Sequence, residues 1–336
     1  MGSSSSSLRY KGVNKMSLAS KIKNRAAWAI RKTKKYSNLI YQRFFGVEEK
    51  DAQTNVLPDS IYLKKLYKAR MGKELDLKHP KTFNEKLQWL KLYDRKPIYT
   101  TMVDKYEVKD YVARLIGEEY IIPTLGVWDR FDDIDFDSLP ERFVLKCTHD
   151  SGGVYICKDK TMLNIDYLSG FFKERMSKNY YKHGREWPYK NVKPRIIAEQ
   201  YMEDTETREL RDYKFYCFDG FCKALLLASN RQSESEKLCF DYYDTSFKHL
   251  HLTNHWHPNA KKQLSKPKQF DLMIDLATKL SKGIPHIRID LFEANGHVYF
   301  GEFTFFDMGG FLKIHPDNWD SEWGELIKLP CDKKSW

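Results

Sequence analysis

The stretch Arg288-Ile-Asp290-Leu-Phe-Glu-Ala-Asn295-Gly296-His-Val-Tyr-Phe-Gly301-Glu302-Phe-Thr304 decides how the chain is read. Asn-Gly between runs of alternating apolar and polar residues is a strong β-hairpin signal. Side chains alternate faces along a strand, so the register decides which of them meet. A two-residue loop at Asn295-Gly296 pairs Asp290 with Gly301 and turns Glu302 to the other face. A three-residue loop, Ala294 to Gly296, shifts the pairing by one. Glu302 then lies opposite Arg288, with Asp290 diagonal on the same face.

Two carboxylates and an arginine on one sheet face suit a metal–phosphate ligand. Mg²⁺ prefers one or two protein carboxylates plus phosphate oxygens. ATP with Mg²⁺ is therefore the first expectation, with Asp290 and Glu302 as metal ligands. It requires the three-residue, bulged loop. The plain alternative is an amphipathic hairpin carrying a solvated salt bridge.

Composition narrows the classes. The chain has 336 residues, 41% apolar and 31% charged, which suits a soluble globular protein of two domains or of one with a large insertion. Its longest apolar run, Ala224 to Ala228, is too short to span a bilayer. No signal peptide stands at the start, and the six cysteines form no C-x-x-C pair. A reducing cytoplasm is the expected compartment. Residues 1–50 hold twelve Lys/Arg against two acids, so this segment carries +10 of the chain's +11. The body is near neutral, which argues against nucleic acid as a partner. Met16–Phe45 reads as a basic helix in which Trp28, Leu39, Phe44 and Phe45 lie among lysines and arginines. That composition suits peripheral attachment to an anionic membrane surface, or a helix packed on the body with a solvated basic face.

Beyond a linker near 48–58, helices are expected over 61–71, 84–93 and 103–116. The second carries the capping box Thr82-x-x-Glu85, and the third ends at Gly117. From Arg142 the pattern turns strand-rich: 143–147, 154–157, 195–202, 213–218 and 221–228, with helices at 165–179 and 271–282. Residues 229–266 read as loop. Mixed helices and antiparallel hairpins indicate an α+β fold, and no G-x-G-x-x-G or Walker motif is present.

Other residues fall around the hairpin. Lys105 stands at a helix start. Lys146 lies on a strand just before Ser151-Gly152-Gly153, a turn whose backbone N–H groups could cover phosphate. Glu199 ends an apolar strand, a suitable place to meet an adenine amino group. Asp212 and Lys214 share one face of the next strand.

In this order, Asp104-Lys105, Lys146 with its small-residue loop, Glu199, Asp212-x-Lys214, Arg288-x-Asp290 and Glu302 resemble the ATP-grasp superfamily. Phe143 to Gly153, Asp212 to Gly220 and Arg288 to Phe305 resemble its TupA-like group, over about residues 60–330. That group is associated with bacterial surface-polysaccharide clusters and is often labelled glycosyltransferase. The resemblance implies an ATP-grasp fold: a tail at 1–57, a helical part at 58–141, a lid subdomain at 142–200 and a catalytic antiparallel sheet at 201–336. It implies that Lys105, Lys146, Ser151, Gly152 and Gly153 hold ATP phosphates. Glu199 would stand at the adenine hinge and Asp212 near the ribose or the acceptor. Lys214 and Arg288 would be catalytic, and Asp290, Glu302 and Thr304 would bind metal. The implied chemistry is ATP-dependent joining of a carboxylate to an amine, acting on a saccharide or lipid-linked glycan. Thr304 stands where most of the superfamily has asparagine, which leaves a sugar kinase open. A glycosyltransferase using a nucleotide-sugar is the other alternative.

Three further motifs have plainer readings. His249-x-His251-x₃-His255-x-His257 has spacing for a transition metal, or lines a surface or substrate edge. His149-Asp150-Ser151 is no triad, because neighbours in sequence do not converge as nucleophile, base and orienter. Arg185 to Lys190 is an aromatic–basic run suited to sugar stacking or to plain packing.

Overall fold

The computed structural model describes residues 57–206, 210–229, 237–262 and 264–330. The basic segment Met16–Phe45 and Cys331 lie outside these residues.

Helix α1 (Asp59–Met71) is followed by α2 (Phe83–Tyr93), where Thr82 and Glu85 form the expected reciprocal capping box. The single helix expected over 103–116 is instead two, α3 (Ile98–Val103) and α4 (Glu107–Ile116). The Asp104 carboxylate accepts from the N–H groups of Tyr106 at 2.9 Å and Glu107 at 3.3 Å. That local side-chain bonding competes with the helical ladder. Lys105, left in the break, donates through its backbone N–H to the Thr148 carbonyl at 3.1 Å.

A four-stranded antiparallel sheet follows, in the order β1-β4-β2-β3. Its strands are β1 (Thr124–Trp128), β2 (Phe143–Cys147), β3 (Val154–Cys157) and β4 (Ile196–Gln200). Helix α5 (Ile165–Met176) lies over it, and Phe131, Phe143, Leu168 and Phe172 fill the space between. β1 precedes residue 142, so the smaller sheet draws one of its four strands from the segment before it. A short turn of helix, α6 (Tyr181–Gly184), precedes β4.

The larger sheet has five antiparallel strands in the order β10-β9-β5-β6-β7. They are β5 (Arg211–Phe218), β6 (Phe221–Ser229), β7 (Cys239–Asp244), β9 (His286–Ala294) and β10 (His297–Thr304). Helix α7 (Phe270–Ser281) packs Met273, Leu276 and Leu280 into its core. β7 falls inside the segment read as loop. Its buried Asp241 obscured the apolar pattern, and that carboxylate is satisfied by His249 at 3.1 Å. β8 (Thr253–Asn254) and β11 (Ile314–His315) form a small separate ladder in the same region. The last helix, α8 (Asn318–Leu326), was also not expected. It is fastened to α2 by Asp320 on Asn84 and by Lys86 on the Gly324 and Ile327 carbonyls.

The β9–β10 register corrects the expectation. The loop is the two-residue one, with Asn295 and Gly296 both at positive φ, 53° and 76°, and Ala294 paired with His297. The extra residue sits inside β10 instead: the pairing slips between Phe300 and Glu302. That β-bulge brings Glu302 opposite Asp290 and Thr304 opposite Arg288, on one face. A Cβ on Gly301 would stand 2.9 Å from both the Asp290 carbonyl and the Phe292 ring. Gly301→Val is therefore expected to lower the melting temperature and to weaken Mg²⁺-dependent nucleotide binding at least tenfold. A variant with unchanged nucleotide binding would show that the bulge does not set the position of Glu302.

Candidate active site

The two sheets face each other across a cavity of about 300 Å³. The smaller sheet contributes Val144, Lys146, Val154, Ile156 and Glu199. The larger contributes Asp212, Lys214, Asp290 and Glu302, and the α3–α4 break and α4 bring Lys105 and Lys109. Seven of the residues singled out in the sequence thus converge: Lys105, Lys146, Glu199, Asp212, Lys214, Asp290 and Glu302.

Arg288 lies beneath this surface and is buried. Its Nε donates to Asp290 Oδ1 at 2.7 Å and its Nη2 to Oδ2 at 2.8 Å, a bidentate pair. Nη1 donates to Asp307, and Nη2 reaches Thr304 Oγ1 at 3.0 Å and Glu302 at 3.4 Å. Lys214 lies on β5 directly across from Asp290. It bonds that carboxylate and also Asp212, at 2.6 Å. Burial works to raise the Asp290 pKa, but Arg288 and Lys214 outweigh it and hold the carboxyl below its ordinary value. Burial likewise opposes the charge on Arg288, and Asp290 and Asp307 overcome it, raising that pKa further.

A second charged cluster stands on the opposite wall. Glu199 is buried between Lys109, at 2.6 Å, and Lys146. Burial alone would raise its pKa; the ammonium groups of Lys146 and Lys109 bring it down to about 2. Glu199 is thus tied to both lysines rather than presented singly at the strand end. Lys109 was not found from the sequence, although it lies one helical turn after Lys105. Asp307 was missed too, and nothing in its local pattern marks it. It sits in a tight turn where Met308 has φ 51°, and it accepts from Tyr216 at 2.6 Å as well as from Arg288.

Ser151, Gly152 and Gly153 form the β2–β3 turn, with Gly152 at φ 85°. They do not line the cavity, but Lys105 Nζ donates to the neighbouring Asp150 carbonyl and ties the turn to the cleft. Asp150 itself is paired with Arg175 at 2.6 Å, so His149-Asp150-Ser151 is a structural turn. In the aromatic–basic run, Arg185 pairs with Asp59 and Pro188 is buried, which is packing. Of the histidines, His249 is engaged by Asp241, and no metal-binding group of three or more His, Cys, Asp or Glu occurs among the described residues.

The donor set fits Mg²⁺ in kind. Asp290 and Glu302 supply carboxylate oxygens from facing positions, and Thr304 adds a hydroxyl that accepts from Arg288 and approaches Glu302 at 3.5 Å. Both Asp290 oxygens are here bonded to Arg288 and Lys214, which occupy the place of positive charge.

Facing antiparallel sheets that enclose lysines, an arginine and paired carboxylates define an ATP-grasp fold. Residues 85–328 match the TupA-like ATP-grasp family, and the chain belongs to it. No curated protein matches the chain. Among solved structures it is similar to a D-alanine–D-alanine ligase from Bacillus anthracis complexed with ATP, at 14% identity and a TM-score of 0.35, covering 61% of this chain and 54% of that one. It is similar to the ATP-grasp ligase PsnB complexed with a minimal precursor, at 9% identity and 0.36, covering 63% and 55%. A D-alanine–D-alanine ligase from Helicobacter pylori gives 14% identity and 0.38, covering 68% and 60%. The chain thus spans little more than half the length of these proteins. No helix of the described residues is long and apolar enough to cross a membrane.

Proposed function

We propose that the protein is an ATP- and Mg²⁺-dependent ligase that activates a carboxylate as an acyl phosphate and joins it to an amine. The observation that carries this reading is the convergence of Lys105, Lys146 and Lys214 with Asp290 and Glu302 in one cleft between two sheets, with Arg288 beneath it bonded to Asp290. Lys105 and Lys146 hold the phosphates as point charges. Asp290 and Glu302, with Thr304, would hold Mg²⁺, which when bound would neutralise phosphate charge. The substrate carboxylate attacks the γ-phosphorus and ADP leaves. The amine nitrogen then attacks the acyl carbon, phosphate departs, and the amine proton passes to solvent. Arg288 and Lys214 are placed to stabilise the negative charge that develops on the transferred group.

Family membership supports a role in surface-polysaccharide assembly, with a saccharide or lipid-linked glycan as substrate. The charge of the first fifty residues supports a cytoplasmic location against the inner membrane face. The test is thermal shift with ATP, ADP and UDP-sugars, each with and without Mg²⁺, followed by product analysis with glycan acceptors. The expected result is a Mg²⁺-dependent shift by ATP and equal release of ADP and free phosphate. ADP without free phosphate would replace ligation by a kinase reaction. A shift by UDP-sugars but not by ATP would overturn the reading in favour of glycosyl transfer.

A further inference from the structure

A second cavity, of about 270 Å³, lies apart from the nucleotide cleft. Arg70, His255, Trp256, His257, Phe311 and Lys313 line it, with Met308 beside them. Two cations and two imidazoles surround two aromatic faces, and no carboxylate is among the lining residues. Such a wall takes an anion that also has an apolar face.

The lining is held in place by the fold. The β8–β11 ladder joins Thr253-Asn254 to Ile314-His315, and the His255 N–H donates to the Lys313 carbonyl at 3.0 Å. The buried Asn254 carboxamide accepts from the N–H groups of Trp256 at 3.0 Å and His257 at 2.8 Å, which fixes the turn that carries them. The Arg70 guanidinium lies over the Phe311 ring, 4.7 Å from its centroid. The buried Glu186 acts on Arg70, but it is shared with Lys91, and burial pushes its pKa up to about 7.

The cavity is also joined to the reactive centre. Met308 directly follows Asp307, which binds Arg288, so one turn, Asp307–Gly310, contributes to both. Met308 keeps a left-handed backbone there, a conformation that a side-chain-bearing residue holds only under constraint.

We propose that this cavity is the recognition subsite for an acidic saccharide, a sugar bearing a carboxylate or a phosphate. The apolar face of the sugar ring lies on Trp256, and its acid is met by Arg70 and Lys313, with the imidazoles as hydrogen-bonding partners. This assignment rests on the ligase reading, in which a saccharide is the substrate.

The test is calorimetric titration of the full chain with hyaluronan tetrasaccharide, glucose 1-phosphate, inorganic phosphate and the neutral chitotetraose, alongside ATP with Mg²⁺. At least one acidic sugar is expected to bind ten or more times tighter than chitotetraose and inorganic phosphate, and which one binds tells carboxylate from phosphate. Trp256→Ala and the exposed Lys313→Ala should each weaken that binding at least fivefold and change ATP affinity less than twofold. Lys313→Ala keeps the test decisive if Trp256→Ala does not fold. Equal binding of chitotetraose, equal binding of inorganic phosphate, no binding of either acidic sugar, or no effect of either variant overturns the proposal. Loss of sugar binding with ATP binding intact strikes only this subsite. Sugar binding without any ATP response supports the subsite and strikes the ligase reading.

Discussion

Glu302→Gln is expected to remove the Mg²⁺-dependent part of ATP binding and to lower turnover about 10²–10³-fold, the usual loss when one electrostatic group of a reacting centre is deleted. The substitution is nearly isosteric and takes away only the charge. The Glu302 side chain is 44% exposed, and its contacts to Arg288 and Thr304 are long, 3.4 and 3.5 Å. The fold depends on it little, so nucleotide-free stability should change by no more than about 0.5 kcal/mol. Thermal shift with ATP, measured with and without Mg²⁺, separates the two effects. An unchanged Mg²⁺-dependent shift would remove Glu302 from the metal site.

Arg288→Met should act on both stability and chemistry. Arg288 satisfies Asp290 through a two-bond fork and Asp307 through a third bond, all of them buried. Removing one partner of a buried charge network costs about 3–5 kcal/mol, because Asp307 stays buried without the arginine and Asp290 is left to Lys214. At roughly 2–4 °C per kcal/mol for a domain of this size, the melting temperature should fall by ~10 °C. Turnover should fall further than ATP affinity, since the arginine is placed to act on developing charge. Arg288→Lys should restore part of the melting temperature but not the turnover, because an ammonium is a point charge and cannot reproduce the planar fork. A melting temperature within a degree of the parent for Arg288→Met would show that the network does not carry this weight.

The site was legible where its residues carry local signals. Lys146 and Glu199 stand at the ends of apolar strands. Asp212 and Lys214 alternate with aromatic residues, and the capping box Thr82-x-x-Glu85 marks the start of α2. Lys109 was overlooked although it lies four residues after Lys105; Asp104 breaks the helix between α3 and α4 and leaves Lys105 against the β2–β3 turn, while Lys109 stays on α4 and pairs with Glu199. Strand β7 was hidden because Asp241 is buried against His249, a pairing that the sequence pattern cannot report. The histidine motif was read as a metal set or a substrate edge. His255 and His257 line a cavity, and His249 serves Asp241.

Read alone, the sequence determined the α+β class, most of the strand segments and the turn of the hairpin, because period-two alternation and an Asn-Gly turn are local properties. Whether Glu302 meets Asp290 was decided only in three dimensions. The turn took its short form, and Gly301, pressed against the Asp290 carbonyl and the Phe292 ring, absorbed the extra residue as a bulge. Which charges neutralise one another was decided there as well. Lys109 with Glu199, and Arg288 with Asp307, come from segments whose approach depends on how the sheets and α4 pack. Burial makes those pairings obligatory, since a charge withdrawn from water needs a partner, and only the packed fold says which partner is within reach.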